Sequence, residues 1–195
     1  FDVHEKTFRH KLFEAYKGTR KGMPDELREQ VPLIKELLHA MNVTVIEAPG
    51  FEADDILGTM SRRGEEAGML VTVLSGDRDL LQLATEKVLI KIPKTKGGQT
   101  TVENYHAGDV FALYGVTPKE FIDMKGLMGD ASDNIPGVPG IGEKTAGKII
   151  AAYHSIEEAH EHIAEIKPKK AMENLSEYYE QALMSKLLAT IKLDV

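Results

Sequence analysis

Apolar positions along the chain follow two patterns, and the change between them falls near residue 105. Before it, short apolar runs at 43–47, 69–74 and 87–92 alternate with segments of helical spacing. The run MLVTVL at 69–74 is continuous, as expected for a strand buried on both faces of a parallel sheet. Strands that alternate with helices predict an α/β core over residues 1–104, with a mainly parallel sheet flanked by helices.

Helical spacing in this first part marks three segments. An amphipathic helix is predicted within 4–22, a second helix from Pro24 to about Met41, and a third that ends near Gly68. Residues 1–3, Phe-Asp-Val, are typical of the end of a strand. We therefore expect the beginning of that N-terminal strand to lie upstream and to be missing from this chain.

From residue 105 to 195 the pattern is helical, which predicts a second, helical subdomain. Before it, KTKGGQT is typical of a hairpin turn. The helix candidates are 108–115, 118–129, 143–153, 155–166 and 176–191. Between the second and third candidates, DASDNIPGVPGIG contains too much glycine and proline for the interior of a helix or strand.

Composition narrows the classes of function. The chain has 42% hydrophobic and 28% charged residues and no cysteine, so disulfides and thiolate metal sites are excluded. Aromatic residues make up 6% and tryptophan is absent, which argues against an extensive base-stacking platform. No apolar run approaches the ~20 residues that span a bilayer, so no membrane partner is expected.

Acidic side chains follow three predicted strand ends. The groups are Asp2 after the first strand, Glu52, Asp54 and Asp55 after the second, and Asp77 and Asp79 after the third. Ligand sites in open α/β sheets form beyond the C-terminal ends of strands, so the six carboxylates should share one crevice.

Two interpretations of these acids remain open. Acids at helix starts stabilise the helix dipole by ~0.3–1 kcal/mol each, which would explain any one group. Six clustered carboxylates repel one another, however, and persist only with positive charge beside them. Oxygen ligands without histidine or cysteine favour two or more Mg²⁺ or Mn²⁺ ions.

The loop near residue 130 adds further candidates. Asp130 and Asp133 are spaced one helical turn apart, and such residues either bind metal or simply form turns. The stretch IPGVPGIGEKTAGKI at 135–149 is glycine-rich and opens a helix, which suits phosphate binding, with Lys144 and Lys148 beside it. An ordinary tight connection between helices explains the same stretch.

Net charge does not oppose a nucleic-acid partner once the acids are assigned. The chain carries 24 basic and 31 acidic residues, for a net charge of −7. Setting the eight candidate ligands aside leaves 23 acids against 24 bases. Basic runs at 6–21 and 87–96 then provide surface for a polyanion, although each run, and the second in particular, is also explained as a solvated face.

Six motifs together give the chain a close resemblance to the 5′-nuclease domain of bacterial DNA polymerase I, within the flap endonuclease superfamily. They are FD at 1–2, FRHKLFEAYKGTR at 8–20, GFEADDILG at 50–58, SGDRDLLQL at 75–83, LMGDASDNIPGVPGIGEKTA at 127–146 and LLATIKLDV at 187–195. The resemblance covers essentially the whole chain and implies a PIN-like fold with a helix–hairpin–helix element at about 130–150.

The resemblance also implies a two-metal nuclease. Positions matching Asp2, Glu52, Asp54 and Asp55 would hold the tighter metal group, and those matching Asp77, Asp79, Asp130 and Asp133 the second. Residues 4–24 would form an arch over a single-stranded 5′ end, with Lys17 and Arg20 acting on the scissile phosphate. DNA contacts are implied at Arg9, Tyr16, Lys17, Arg20, Lys21, Gly137, Gly140, Ile141, Gly142, Lys144, Thr145 and Lys148.

The family further implies partners and a cellular context. We expect DNA with a 5′ flap, nick or 5′ end as substrate, K⁺ at the helix–hairpin–helix carbonyls, a fused polymerase domain, and a monomer in the bacterial cytoplasm near the nucleoid. The family has another aspartate on its first strand, which this chain lacks. A non-catalytic DNA-binding module of the same fold therefore remains an alternative. A related nuclease acting on RNA is a third option, which the duplex-holding element disfavours.

Overall fold

The computed structural model describes residues 1–3 and 5–195 of the chain. The helices among these residues are α1 Phe8–Leu12, α2 Asp25–Ala40, α3 Ala53–Glu66, α4 Ala107–Tyr114, α5 Pro118–Met128, α6 Glu143–Tyr153, α7 Ile156–Glu161, α8 Lys169–Glu177 and α9 Tyr179–Ala189. The strands are β1 Val71–Leu74, β2 Val88–Lys96 and β3 Gln99–Tyr105, and short 3-10 helices cover Arg78–Leu83 and Ile163–Glu165.

The sheet is mixed rather than mainly parallel. β1 pairs with β2 in parallel, and β2 pairs with β3 in antiparallel register. Gly97 and Gly98, both at positive φ, form the tight turn between β2 and β3, as the KTKGGQT motif predicts. The α/β class with a helical second part is confirmed, while β3 at 99–105 extends the sheet beyond the predicted strands.

Two strand predictions were wrong in detail. Residues 43–47 form no strand. Among the described residues, Phe1 N donates to Ile46 O at 2.9 Å and Val43 N donates to Leu38 O at 2.8 Å, and neither hydrogen bond continues into the ladder that a strand needs. The 69–74 run is not buried on both faces either, since Leu70 and Leu74 are 85% and 66% exposed. Within the described residues β1 is an edge strand, with β2 as its neighbour.

The predicted helix within 4–22 is mostly absent. Its first residue, His4, lies outside the described residues, and the helix α1 covers five positions before Phe13 adopts an extended conformation. The remainder to residue 20 folds as consecutive turns against the body of the protein. The predicted helix at 155–166 divides into α7 and a 3-10 turn, and α8 was not predicted.

The hydrophobic core joins the sheet to the C-terminal helices. Its fully buried members include Leu81 and Ile90 beside the sheet and Leu127, Ile150 and Leu175 from the helices. The helix α5 lies in the middle, packed between α6 and α9. Both predicted domains share this core, so the division at 104/105 remains a prediction.

The C-terminal segment closes against α3. A Cβ atom on Gly58 would lie 2.6 Å from the side chain of Ile191, which explains why glycine occupies this helical position. Thr59 Oγ1 accepts a hydrogen bond from Val195 N at 3.1 Å. The beginning of α3, where the first carboxylates lie, is therefore supported from the far end of the chain.

Candidate active site

The first carboxylate group surrounds the beginning of α3. Glu52 is buried, and its Oε1 accepts a hydrogen bond from Lys17 Nζ at 2.8 Å, while its Oε2 accepts one from the Tyr16 hydroxyl at 3.1 Å. Asp2, exposed at the edge, accepts the Ala53 amide at 2.7 Å. Residues from the N-terminal segment and α3 thus meet where the sequence predicted a shared crevice.

Asp54 is the least compensated acid in this group. Burial and the negative charges of Asp77, Glu52 and Asp2 raise the pKa of its carboxyl group to about 7, although Lys17 partly offsets the effect. The raised pKa means that burial and the neighbouring acids outweigh the positive charge of Lys17 at this carboxyl group. A cation in this crevice would stabilise it.

Asp55 lies next to Asp54 but belongs to a different environment. It is completely buried and forms two hydrogen bonds with the Arg9 guanidinium, each 2.8 Å long. Arg9 is 2% exposed and Tyr16 is 3% exposed, so neither offers surface to a DNA phosphate in this arrangement. Of the residues expected to contact DNA from this segment, Arg9, Tyr16, Lys17 and Arg20 are instead bound to carboxylates, whereas Lys21 is exposed.

Three acids of the second group, Asp77, Asp79 and Asp130, line a cavity of about 440 Å³. Asp77 is exposed and accepts the Asp79 amide at 2.9 Å, which begins the 3-10 helix. Lys125 Nζ lies 2.8 Å from Asp79 Oδ1 and 2.5 Å from Asp130 Oδ2. Because burial lowers the pKa of an amine but two carboxylates surround this one, the pKa of Lys125 stays above its ordinary value.

Asp130 organises the loop that follows α5. Its Oδ1 accepts hydrogen bonds from Ser132 N and Ser132 Oγ, both 2.7 Å long. Although burial acts to raise the pKa of Asp130, Lys125 and Ser132 lower it to about 2. Asp130 N and O also pair with Ile135, so the carboxylate is held by a closed turn.

Tyr16 and Lys17 connect the two groups. The Tyr16 hydroxyl lies 3.2 Å from Asp133 Oδ2 and Lys17 Nζ lies 3.8 Å from the same atom, while Arg20 pairs with Asp133 Oδ1. Lys17 N donates to Asp133 O at 2.8 Å and holds its backbone at φ 54°, a left-handed conformation that non-glycine residues rarely adopt. Such outliers concentrate at functional sites.

The carboxylates do not form a ready-made metal site. Among residues 1–3 and 5–195, no group of three or more acidic or histidine side chains is arranged to hold an ion. Lys17 and Lys125 instead each lie between two acids, and Arg20 pairs with Asp133. The donor chemistry of the crevice nevertheless suits a hard cation, because its ligand atoms are carboxylate oxygens and burial and neighbouring acids raise the pKa of Asp54, which forms no ion pair within the described residues.

The glycine-rich loop connects α5 to α6 as a compact helix–loop–helix. Gly137 and Ile141 are buried, and Gly137 O accepts a hydrogen bond from Gln181 Nε2 at 2.7 Å. The exposed part carries Gly140, Gly142, Lys144 and Lys148, with Thr145 half-buried. Of the predicted DNA-contacting positions in this loop, the exposed ones and Thr145 share one end of α6, whereas Gly137 and Ile141 support the loop from inside.

Lys125 is the site residue that sequence reasoning missed. It lies on the buried side of α5 together with Phe121 and Met124, so a lysine stands on an apolar helical stripe. That position is the signal that could have identified it, because a buried lysine requires an acidic partner.

Family models cover the whole chain in two parts. The 5′-3′ exonuclease N-terminal resolvase-like domain matches residues 1–115, and the 5′-3′ exonuclease C-terminal SAM fold matches residues 116–195. The chain belongs to the 5′-3′ exonuclease family.

Similar 5′-3′ exonuclease segments occur within DNA polymerase I. The chain is 52% identical over 194 residues to DNA polymerase I of Bacillus subtilis, covering 100% of this chain and 22% of the relative. It is 44% identical over 191 residues to the enzyme of Streptococcus pneumoniae R6, covering 98% and 22%. The chain therefore spans about a fifth of the length of these curated relatives.

Solved structures support the 5′-3′ exonuclease fold. The T5 D15 protein co-crystallised with metal ions matches at a TM-score of 0.81 and 26% identity, over 99% of this chain and 74% of that one. The catalytic core of Rad2 in complex with DNA substrate matches at 0.62 and 18% identity, over 100% and 70%, and at that identity supports the fold alone. Within the described part of the chain, no helix is long and apolar enough to cross a bilayer.

Proposed function

We propose that the chain is a structure-specific 5′ nuclease that hydrolyses DNA phosphodiesters with the help of two or more divalent ions. One observation carries the proposal: carboxylates from the beginning of α3, the 3-10 helix and the loop after α5 converge beside Lys17 and Arg20. A plain DNA-binding surface gains nothing from acids placed near phosphate, because they repel it.

The ions would be Mg²⁺ or Mn²⁺. The acids that would hold them are Asp2, Glu52, Asp54, Asp77, Asp79, Asp130 and Asp133. Bound divalent ions lower the pKa of water and stabilise charge on the leaving oxygen. The raised pKa of Asp54 supports this assignment, since an ion beside it would return the carboxyl group to its charged form.

Lys17 and Arg20 would stabilise the developing charge of the phosphate. Both now bind carboxylates, Lys17 at Glu52 and Arg20 at Asp133, and the Arg20 side chain remains 48% exposed. Divalent ions at the acids would free these cations for the substrate. The left-handed backbone at Lys17 supports such a role, because backbone outliers of this kind concentrate at functional sites.

The exposed end of α6 would hold duplex DNA by its backbone. Gly140 and Gly142 allow close approach, and Thr145, Lys144 and Lys148 provide polar and basic groups without reading sequence. Carbonyls of the same loop would bind K⁺. Lys21, exposed beside Arg20, would contact the strand that reaches the site.

The wider context is inferred from the relatives. Since the similar segments lie in bacterial DNA polymerase I, the proposed substrates are 5′ flaps, nicks and 5′ ends formed during replication and repair. A polymerase domain would follow in the longer protein. The proposed setting is a monomer in the bacterial cytoplasm near the nucleoid.

The test is cleavage of a labelled 5′-flap duplex in Mg²⁺ and in Mn²⁺. We expect cutting by the unmodified protein, and we expect Asp77→Asn to abolish cutting while flap affinity stays within about threefold. Asp194→Asn, which removes the same charge from an exposed position far along the chain, serves as the matched control. An Asp77→Asn variant with full activity would remove Asp77 from the site.

Binding of flap DNA without cutting in either ion would overturn the nuclease proposal and favour a non-catalytic DNA-binding module. Preferential cutting of an RNA flap in competition with a DNA flap would overturn the assignment of substrate.

A further inference from the structure

Arg9 is held on every side by protein groups. Its Nε donates to Leu188 O at 2.9 Å, and one terminal nitrogen donates to Asp55 Oδ1 at 2.8 Å and Thr190 O at 2.7 Å. The other terminal nitrogen donates to Asp55 Oδ2 at 2.8 Å and Glu52 Oε2 at 3.4 Å. All five N–H groups of the guanidinium are therefore used, and none is directed at solvent.

Asp55 is saturated in the same way. Besides the two bonds from Arg9, its Oδ1 accepts from Lys192 N at 2.8 Å and its Oδ2 accepts from Glu52 N at 3.0 Å. Burial acts to raise the pKa of Asp55, but the hydrogen bonds and charge of Arg9 keep it below its ordinary value. A completely buried carboxylate with four donors has no oxygen surface left for an ion.

The pair joins three distant parts of the chain. Arg9 belongs to α1, Asp55 to the first turn of α3, and Leu188, Thr190 and Lys192 to the end of α9 and the segment beyond it. The N-terminal segment that carries Tyr16 and Lys17 is thereby fixed against both.

Glu52 is positioned from both sides of this junction. Its amide donates to Asp55, and its carboxylate accepts from Arg9 at one oxygen and Lys17 at the other. Displacing Arg9 would therefore shift the acid that Lys17 binds. The neighbouring aspartates Asp54 and Asp55 therefore differ in their surroundings. Asp54 lies in the crevice, whereas Asp55 lies beneath it and is bound on all sides by protein donors.

We propose that Arg9 and Asp55 are a positioning pair, which fixes Glu52 and the segment 13–20 and binds neither a divalent ion nor a DNA phosphate. This inference rests on the proposed function, since it concerns how the nuclease site is held. Its competitors are direct roles: Asp55 as an ion ligand and Arg9 as a phosphate contact.

The first experiment separates positioning from ion binding. We measure Mn²⁺ binding by electron paramagnetic resonance in the paired variant Arg9→Met with Asp55→Leu, which replaces the ion pair with apolar groups. We expect the dissociation constant to rise by about threefold, because Glu52 loses one support while every ion ligand is kept. Asp54→Asn is the matched comparison and should weaken binding at least tenfold. Equal weakening in both variants would overturn the proposal.

The second experiment uses Arg9→Lys. A lysine keeps the charge and would serve a phosphate contact, but it has three donors where the pair uses five. We expect kcat on a 5′ flap to fall at least tenfold with KM within threefold. Amide exchange at Tyr16 and Lys17 should accelerate at least tenfold, while exchange within α6 should stay unchanged. A change confined to KM or DNA affinity would show a phosphate contact and overturn the proposal.

These readouts keep the two proposals apart. If the unmodified protein cuts no flap, the nuclease proposal fails, while ion binding and amide exchange still decide the role of the pair. If all variants unfold at 25 °C, the single variants Arg9→Lys and Asp55→Asn are measured at 10 °C. Unchanged exchange at Tyr16 and Lys17 there would overturn the proposal.

Discussion

Asp54 at the beginning of α3 and Asp130 in the loop after α5 both belong to clusters of acids, yet their electrostatics are opposite. At α3, burial and neighbouring acids raise the pKa of Asp54 to about 7. In the loop, burial also acts to raise the pKa of Asp130, but Lys125 and Ser132 lower it to about 2. The difference lies in whether a buried cation and backbone donors are aimed at the carboxylate.

The crevice therefore contains both a carboxylate that is held by positive charge, Asp130, and one whose ionisation is disfavoured, Asp54. Asp130 receives an ammonium and a closed turn, so it serves as a fixed support. Asp54 receives little, so it is the position at which an added cation would gain most. Asp130 thus has a structural part in the crevice, whereas Asp54 is suited to binding a cation.

The largest expected effect comes from removing the cation of the second cluster. Lys125→Met leaves Asp79 and Asp130 without their buried partner and should lower the free energy of unfolding by about 4 kcal/mol at pH 7. Urea unfolding followed by circular dichroism measures it. Lys119→Met, at an exposed position of α5, should change it by less than ~0.5 kcal/mol. Equal effects would show that Lys125 does not neutralise the pair.

A smaller effect should follow from distorting the backbone of the loop. Gly137 has φ +59°, and a Cβ atom there would lie 2.4 Å from Gly129 N. Gly137→Ala should therefore lower stability by about 3 kcal/mol, because both conformation and contact are unfavourable. Gly142→Ala, with open space around it, should cost less than ~1 kcal/mol. Thermal unfolding of both variants would reveal whether the close approach of Gly137 to Gly129 matters.

The next effect is the pH dependence of stability, which has opposite signs for Asp54 and Asp130. Because the folded pKa of Asp54 is raised above its unfolded value of 3.8, its contribution to stability is present below pH 4 and is lost as pH rises to about 7. Asp54→Asn should match the unmodified protein near pH 4 and exceed it at pH 8 by about 2 kcal/mol, after discounting for partial solvent access. Mn²⁺ should reduce that excess.

Asp130 sharpens this test through its opposite dependence. Its lowered pKa contributes stability above pH 4 that is lost as pH falls toward 2. Urea unfolding across pH 3–8 would separate the two trends. An excess for Asp54→Asn that stays constant across this range would contradict the raised pKa.

The smallest expected effect is the loss of one hydroxyl. Ser132→Ala removes a 2.7 Å hydrogen bond to Asp130 Oδ1, so it should raise the pKa of Asp130 and lower stability by about 1 kcal/mol. Carboxyl ¹³C titration by NMR reads the pKa directly. Ser176→Ala, on the exposed side of α8, should leave it unchanged. No change in either variant would assign the low pKa of Asp130 to Lys125 and the Ser132 amide, without a part for the hydroxyl.

Local sequence patterns predicted the elements whose causes are local. The bounds of α6 match the prediction at 143–153, since a glycine-rich loop precedes a regular apolar stripe. The strand at 43–47 failed because a strand depends on its neighbours, which periodicity does not specify. The prediction of a longer helix within 4–22 failed for a similar reason. The chain leaves the helical path after α1, and Tyr16 and Lys17 contact Glu52 and Asp133 instead.

The residues of the site likewise fall into those that local sequence could predict and those that depend on tertiary contacts. Strand-end reasoning predicted that Glu52, Asp54 and Asp77 share one crevice. The charges of Asp77 and Glu52 do act on Asp54, although no strand forms at 43–47, so the route to this prediction was wrong for the acids of α3. The same reasoning could not separate Asp54 from Asp55, whose surroundings depend on Arg9, 46 positions away, and on Lys192. Burial and pairing of that kind are set by tertiary contacts rather than by spacing.

The Tyr16 hydroxyl can donate its hydrogen to only one of two carboxylates in the crevice at a time. A phenol carries one hydrogen, yet its oxygen lies 3.1 Å from Glu52 and 3.2 Å from Asp133, so one acceptor is left without it at any instant. The two carboxylates therefore compete for a single proton donor. When one of the two carboxylates becomes a poorer acceptor, the Tyr16 hydroxyl donates to the other instead. A change at Glu52, at the beginning of α3, therefore changes the hydrogen bonding of Asp133 in the loop after α5.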